Sequence, residues 1–186
     1  MGRIEELVAR YRSHIGAPWQ RNLAGDQKAI FVVYPKSDER KLRARLELFE
    51  MATTSTGHRW RLLDLTDTFA QWMADNSYRE DYFADPNALV TGPKSPLVVF
   101  AARRLREALT ADGVDEDSVV AVNGAASFFG FTYLSAILSI VKNEVRGRLV
   151  VFFPGEYDSN IYRLLDARDG WNYLGVPITL HNGVND

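Results

Sequence analysis

Hydrophobic side chains recur along the chain in two alternating patterns. Short apolar runs rich in Val, Ile and Phe, such as Ala29–Tyr34 and Ser118–Asn123, are typical of strands buried on both faces of a sheet. Other stretches, such as residues 3–15, carry apolar side chains three and four positions apart, which predicts amphipathic helices. Because strands and helices alternate, the pattern predicts an α/β fold of the doubly wound, Rossmann-like three-layer kind. We expect a mostly parallel sheet of about five strands with helices on both faces.

The predicted elements follow one another without a linker, so a single domain over residues 1–186 is expected. Strands are predicted at 29–34, 60–65, 118–123, 148–153 and 172–178, with Pro177 placing the last strand near an edge. Helices are predicted at 3–15, 38–51, 66–73, 97–110, 126–141 and 157–165. Residues 76–96 contain three prolines and a glycine and are interpreted as an irregular excursion from the core.

Composition narrows the classes of function. The sequence has no cysteine, which excludes disulfides, thiolate catalysis and thiolate metal sites and favours the cytoplasm. Its 22 basic and 24 acidic residues give a net charge of −2, so direct binding to nucleic acid is not expected. No apolar run is long enough to span a bilayer, and no membrane association is predicted.

Motifs that would indicate an enzyme do not occur in the sequence. The string at residues 91–96, TGPKSP, lacks the first glycine of a phosphate-binding P-loop and is flanked by prolines. There is no G-x-S-x-G motif, and His14, His58 and His181 are far apart and outside any H-E-x-x-H motif. We therefore predict no catalytic residue, metal or cofactor.

An alternative prediction comes from polar residues at the ends of the predicted strands. Asp64, Asn123, Gly124 and Glu156 are expected near the carboxyl ends of strands, where open α/β sheets bind ligands. They predict a crevice for a small molecule or nucleotide, although a tight turn is the favoured explanation of Gly124. Asp64 and Glu156, with Asp158, also offer carboxylates for a metal, but acidic residues after strands more often cap helices.

The C-terminal segment concentrates aromatic and basic side chains. Tyr157, Tyr162, Arg163, Trp171 and Tyr173 are of the residue types that dominate protein-binding hot spots, because each combines a large apolar area with a polar end. The same rings would serve equally well to seal the edge of the sheet. Both interpretations are open, and these five residues are the candidates for partner binding.

Three parts of the sequence resemble the BrxB family of BREX phage-defence systems. The first is AIFVVYPKSDERKLR at residues 29–43, and the second is VAVNGAASFFGF at residues 120–131. The third is FFPGEYD at residues 152–158, followed by YRLLD at 162–166 and NYL at 172–174. None of these segments is a catalytic motif, so the resemblance points to a family and not to a reaction.

The resemblance implies a small non-catalytic component of an antiviral defence system. Members of this family are encoded beside a large PglZ-type protein with a phosphatase-like fold, a BrxC-type ATPase and a PglX-type DNA methyltransferase. They are thought to confer phage resistance through protein–protein interaction, and among these proteins a PglZ-like protein is the most expected partner. The excursion at 76–96 is not part of the resemblance.

Overall fold

The structure is a computed structural model that describes residues 2–89, 92, 94–167 and 170–180. Its strands are β1 (Ala29–Tyr34), β2 (Arg59–Asp64), β3 (Ser118–Asn123), β4 (Arg148–Asp158), β5 (Ile161–Leu164), β6 (Trp171–Asn172) and β7 (Val176–Ile178). Its α-helices are α1 (Arg3–Ile15), α2 (Glu39–Arg43), α3 (Leu46–Thr54), α4 (Thr68–Ala74), α5 (Arg79–Ala84), α6 (Pro96–Leu109) and α7 (Leu134–Val141). The predicted α/β class is confirmed.

The seven strands form one mixed sheet. Its main path has the order β2-β3-β4-β1-β7, and each neighbouring pair on this path is parallel. β5 runs antiparallel to β4, and β6 runs antiparallel to β5. The prediction of a mostly parallel sheet is therefore not confirmed for the sheet as a whole, because the chain returns from β4 by a hairpin instead of a helical crossover.

Helices cover both faces of the main path because alternate strand residues point to opposite sides. Ile30 and Val32 of β1 pack with α1 and α3 in one hydrophobic cluster. Phe31 and Val33 pack with α6 and α7 in a second cluster on the other face. Both β1 and β3 are buried at every position, which explains their uninterrupted apolar sequences.

The connections between the parallel strands lie on both faces of the sheet. The crossover from β1 to β2 contains α2 and α3, whereas the connections from β2 to β3 and from β3 to β4 use α6 and α7 on the other face. Crossovers that run in opposite directions along a sheet must lie on opposite faces if they have the same hand. After β4, the hairpin folds onto the face that carries α6 and α7. The chain therefore leaves β1 and β4 towards opposite faces.

Two predicted helices are interrupted. The helix predicted at 38–51 is split, because Arg45 has a non-helical backbone with φ −131° between α2 and α3. The helix predicted at 126–141 begins as a 3-10 turn at Ala125–Phe128 and resumes only at α7. Gly130 lies in this gap with φ +82°, a left-handed conformation that ends helical geometry.

The prediction of a helix at 157–165 is wrong, because this segment forms the β4–β5 hairpin. β4 continues through Pro154 and Gly155, where the sequence analysis ended it. Ser159 and Asn160 have φ of 50° and 66°, the positive values of a tight two-residue hairpin turn. Gly155 is required for the close pairing, since a Cβ there would overlap the carbonyl oxygen of Arg163.

Two further segments differ from the sequence-based elements. The excursion at 76–96 contains the short helix α5 and a 3-10 turn at Pro86–Ala88, so it is not wholly irregular. The strand predicted at 172–178 is divided into β6 and β7. β7 ends the main path, which confirms that Pro177 lies near an edge.

Substitution of Phe31 tests how much the stability of the core depends on β1. Its ring is fully buried and contacts four other rings, those of Phe153, Tyr162, Trp171 and Tyr173. We expect Phe31→Ala to lower the free energy of unfolding by roughly 3–5 kcal/mol, because the cavity has little freedom to collapse.

The matched control is Phe83→Ala on α5, where the side chain is 64% exposed. It should change the free energy of unfolding by no more than about 0.5 kcal/mol. Urea denaturation followed by circular dichroism measures both. Similar losses in the two variants would show that β1 does not hold the core.

Candidate functional site

The C-terminal aromatic residues form a cluster over β1 and β4, on the face that carries α6 and α7. The Tyr162 ring lies 4.6 Å from the Phe31 ring and stacks on Trp171 at 5.3 Å, measured between centroids. The Tyr162 hydroxyl donates a hydrogen bond of 2.9 Å to the carbonyl oxygen of Gly175. Burial raises the pKa of Tyr162, so the phenol stays neutral. The rings thus close the core at this part of the sheet.

The five candidates for partner binding differ in how far their side chains are buried. Tyr162 is fully buried and has no surface to offer, so the contact role expected for it does not hold. Tyr157, Arg163, Trp171 and Tyr173 are half-buried, which combines a packing role with an accessible edge. Burial also raises the pKa of Tyr173 to about 12. Partner binding by these four residues stays a prediction.

An apolar groove of about 340 Å³ lies beside Trp171. Phe129 and Tyr133, in the segment between the 3-10 turn and α7, line it and are 43% and 57% exposed. The hydroxyl of Thr132 is buried there without a hydrogen-bond partner among the described residues. The groove exists because Gly130 interrupts the predicted helix and turns two aromatic side chains outward.

Sequence reasoning missed this groove because it assigned Phe129 and Tyr133 to the continuous helix predicted at 126–141. The available signal was a glycine inside the aromatic run Phe128–Phe131, since glycine destabilises the interior of a helix.

Polar residues meet at the carboxyl ends of β2 and β3, as predicted. Asp64 and Asn123 are register partners, and Asn123 Nδ2 donates to Asp64 Oδ2 at 3.4 Å. Asp64 also accepts the backbone N–H of Thr66 at 2.8 Å, and the Arg43 guanidinium lies 3.9 Å away. Burial opposes ionisation, but the Thr66 hydrogen bonds and the charge of Arg43 hold the pKa of Asp64 below its ordinary value.

The turn after β3 explains Gly124. Its φ is +85°, and a Cβ at this position would overlap the backbone of Thr66. The glycine is therefore required for the turn, whereas a role in contacting a ligand stays a prediction. Asn123 Oδ1 is buried without a hydrogen-bond partner in the described part of the chain, which leaves one unused acceptor beside the turn.

Glu156 does not join this group. It lines a separate crevice of about 1120 Å³ at the carboxyl ends of β1, β4 and β7. Lys36 and Asp166 form an ion pair at its wall, and Arg10 donates to the carbonyl oxygen of Thr179 at 2.9 Å. The crevice lies where the chain leaves β1 and β4 towards opposite faces, the position at which open sheets most often hold ligands.

The described residues contain neither a metal cluster nor a membrane-spanning helix. No three His, Cys, Asp or Glu side chains in that part of the chain lie close enough together to hold a metal ion. Asp64, Glu156 and Asp158, the carboxylates considered from the sequence, form no such group. None of the helices there has the length and apolar character needed to cross a membrane.

Comparison with known proteins adds no relative: no family model, curated protein or solved structure matches the chain.

Gly113 and Gly124 have nearly the same positive φ, so comparing them separates the steric cost of adding a Cβ from the cost of a left-handed backbone. Gly113 has φ +82° and open space where a Cβ would lie, whereas Gly124 has φ +85° and a blocked position. Gly113→Ala should lower the free energy of unfolding by about 1 kcal/mol, the usual cost of a left-handed alanine. Gly124→Ala should lower it by clearly more, because the Asp64–Thr66 turn must also move.

Thermal denaturation of the two variants measures this difference. Equal losses would mean that the turn after β3 adapts freely and does not hold Asn123 and Asp64 in place.

Proposed function

We propose that this protein is a non-catalytic, protein-binding component of a bacterial BREX-type phage-defence system. The observation that carries the proposal is the apolar groove formed by Phe129, Tyr133 and the edge of Trp171. Large exposed aromatic side chains beside a concave surface are typical of protein interfaces. The resemblance of three segments to the BrxB family supports the biological setting.

The groove is well suited to binding because packing holds two of its aromatic side chains in place. Trp171 is stacked on Tyr162, and Tyr162 packs on Phe31 in the core. A side chain held in this way loses little conformational entropy when a partner arrives. Phe131, which lines the same groove, stacks on Phe69 with ring centroids 4.1 Å apart.

The resemblance points to a PglZ-like protein as the partner, with the BrxC-type ATPase and the PglX-type methyltransferase as further contacts. In this proposal the protein acts in the cytoplasm and uses no membrane, metal, cofactor or nucleic acid. Its slightly negative net charge is consistent with partners that are proteins.

Paired alanine variants test the groove. We expect Phe129→Ala with Tyr133→Ala to weaken binding to the PglZ-type protein of the same gene cluster by at least about 30-fold, the scale of a hot-spot loss near 2 kcal/mol. Both side chains are in the exposed class, at 43% and 57%, so the melting temperature should fall much less than the affinity. Isothermal titration calorimetry with the purified proteins gives the affinity.

The control is Tyr78→Ala with Phe83→Ala, which removes two aromatic side chains of similar exposure on and beside α5. It should leave the affinity unchanged. Absence of binding by the unaltered protein would reject the proposed partner. Equal weakening by both double variants would reject the groove as the interface.

A second candidate function rests on the crevice lined by Glu156. If the five-strand main path is treated as a doubly wound sheet of the Rossmann kind, its carboxyl end is the expected place for a small molecule or nucleotide. The volume of about 1120 Å³ is sufficient for such a ligand.

A thermal-shift screen with nucleotides, with and without Mg²⁺, tests this candidate. A ligand at 100 times its dissociation constant adds about 2.7 kcal/mol to the stability of the folded state. Glu156→Gln should reduce the shift, whereas Glu80→Gln on α5 should not. If no nucleotide changes the melting temperature, the crevice does not bind that class of ligand.

A further inference from the structure

A small cavity lies at the amino ends of the strands, opposite the carboxyl-end crevice, and its lining carries excess positive charge. Its volume is about 230 Å³. Its charged lining consists of four cations and two carboxylates, namely Arg21, Lys28, Arg146, Arg148, Glu116 and Asp117. The cavity thus holds more positive than negative charge in a protein whose net charge is −2.

The carboxylates are already used by the two outer arginines. Arg21 pairs with Asp117 and Arg146 pairs with Glu116, each at 3.2 Å. The ammonium group of Lys28 donates to the carbonyl oxygen of Val145 at 3.1 Å. Within the described lining of the cavity, no carboxylate is left over for Lys28 or for the fourth cation.

That cation is Arg148, the first residue of β4, which is only 8% exposed. Its guanidinium donates to the carbonyl oxygens of Gly147 at 3.0 Å and Gln20 at 3.1 Å. Among the described residues, no carboxylate forms an ion pair with it. These two hydrogen bonds use only part of a group with five N–H donors, and a buried charge without a counter-ion is costly.

The rings beside Arg148 contribute a second unpaired group. The guanidinium carbon lies 4.7 Å from the centroid of the Trp19 ring, a cation–π contact that offsets part of the burial cost. His58 stacks on Trp19 with centroids 3.7 Å apart, and its Nδ1 is buried without a hydrogen-bond partner among the residues that the structure describes. Since both Arg148 and His58 line the cavity, two polar groups there have unused hydrogen-bonding capacity.

The positive charge of Arg148 also affects the pKa of His14. Burial and, after it, the positive charge of Arg148 lower the pKa of His14. This direction agrees with the absence of an acid paired with Arg148 in the described part of the chain.

We propose that this cavity binds a small tetrahedral oxyanion, either inorganic phosphate or the phosphate group of a small monoester. The fork of the Arg148 guanidinium matches two oxygens of such an anion, and the His58 ring lines the same cavity. A dianion would balance the excess charge left by the four cations and two carboxylates. The site is independent of the partner-binding groove.

Titration with inorganic phosphate, followed by NMR of the Trp19 indole and the His58 ring, tests the proposal. Sodium chloride at equal ionic strength is the reference for non-specific screening. We expect saturable shifts of both signals with phosphate and not with chloride. The pKa of His14 should rise when phosphate is bound, because a nearby anion stabilises the imidazolium.

Arginine-to-glutamine variants test whether phosphate binds in this cavity. Arg148→Gln should weaken phosphate binding by about tenfold or more, as expected for loss of a charge-assisted bidentate contact. Arg146→Gln should weaken it less, and it provides a second measurement if Arg148→Gln does not fold. Arg103→Gln, an exposed arginine on α6, should have no effect.

An alkyl phosphate that binds as tightly as inorganic phosphate would support the monoester form of the proposal, and weaker binding would support the free ion. The proposal is overturned if neither anion gives saturable shifts, or if chloride reproduces them. It is also overturned if a folded Arg148→Gln, or Arg146→Gln where Arg148→Gln does not fold, binds phosphate as tightly as the unaltered chain.

Discussion

The pairing of β1 with β4 is the constraint on which the rest of the structure depends. All six residues of β1 are in parallel register with β4, and all six are buried. A strand buried on both faces needs apolar cover on each side, because its own side chains point alternately both ways. α1 and α3 cover one face, and α6 and α7 cover much of the other. The remaining area over Phe31 is covered by the C-terminal rings.

Covering Phe31 with the C-terminal rings also shapes the protein surface beside them. A crossover helix would have buried the end of β4, but the chain instead forms a hairpin and places Tyr162 and Trp171 on the sheet. The rings complete the core while Trp171 keeps an exposed edge, which forms one side of the groove. Packing and the proposed recognition are therefore combined in the same side chains.

The carboxyl and amino ends of the strands differ in whether each charged side chain has an oppositely charged neighbour. At the carboxyl end, the Tyr34 hydroxyl donates to Glu39 at 2.6 Å, and Glu39 accepts from Arg43 at 2.7 Å. Arg43 in turn lies beside Asp64, so each charge in this chain of contacts has an opposite neighbour. At the amino end, Arg148 is buried among carbonyl groups and aromatic rings. Because a buried charge without a counter-ion is costly, the amino end has more to gain from binding an anion than the carboxyl end has.

The sequence by itself determined the α/β class, the central strands and the meeting of Asp64 with Asn123. These follow from uninterrupted apolar runs and from the rule that parallel strands end at the same edge, and both are local properties of the chain. Only the tertiary structure decided that residues 157–165 form a hairpin and that Glu156 lies apart from Asn123. It also decided that Tyr162 is core while Phe129 is exposed. Local periodicity does not distinguish a ring that covers a sheet from one that faces solvent, because that difference depends on which part of the sheet the helices leave uncovered.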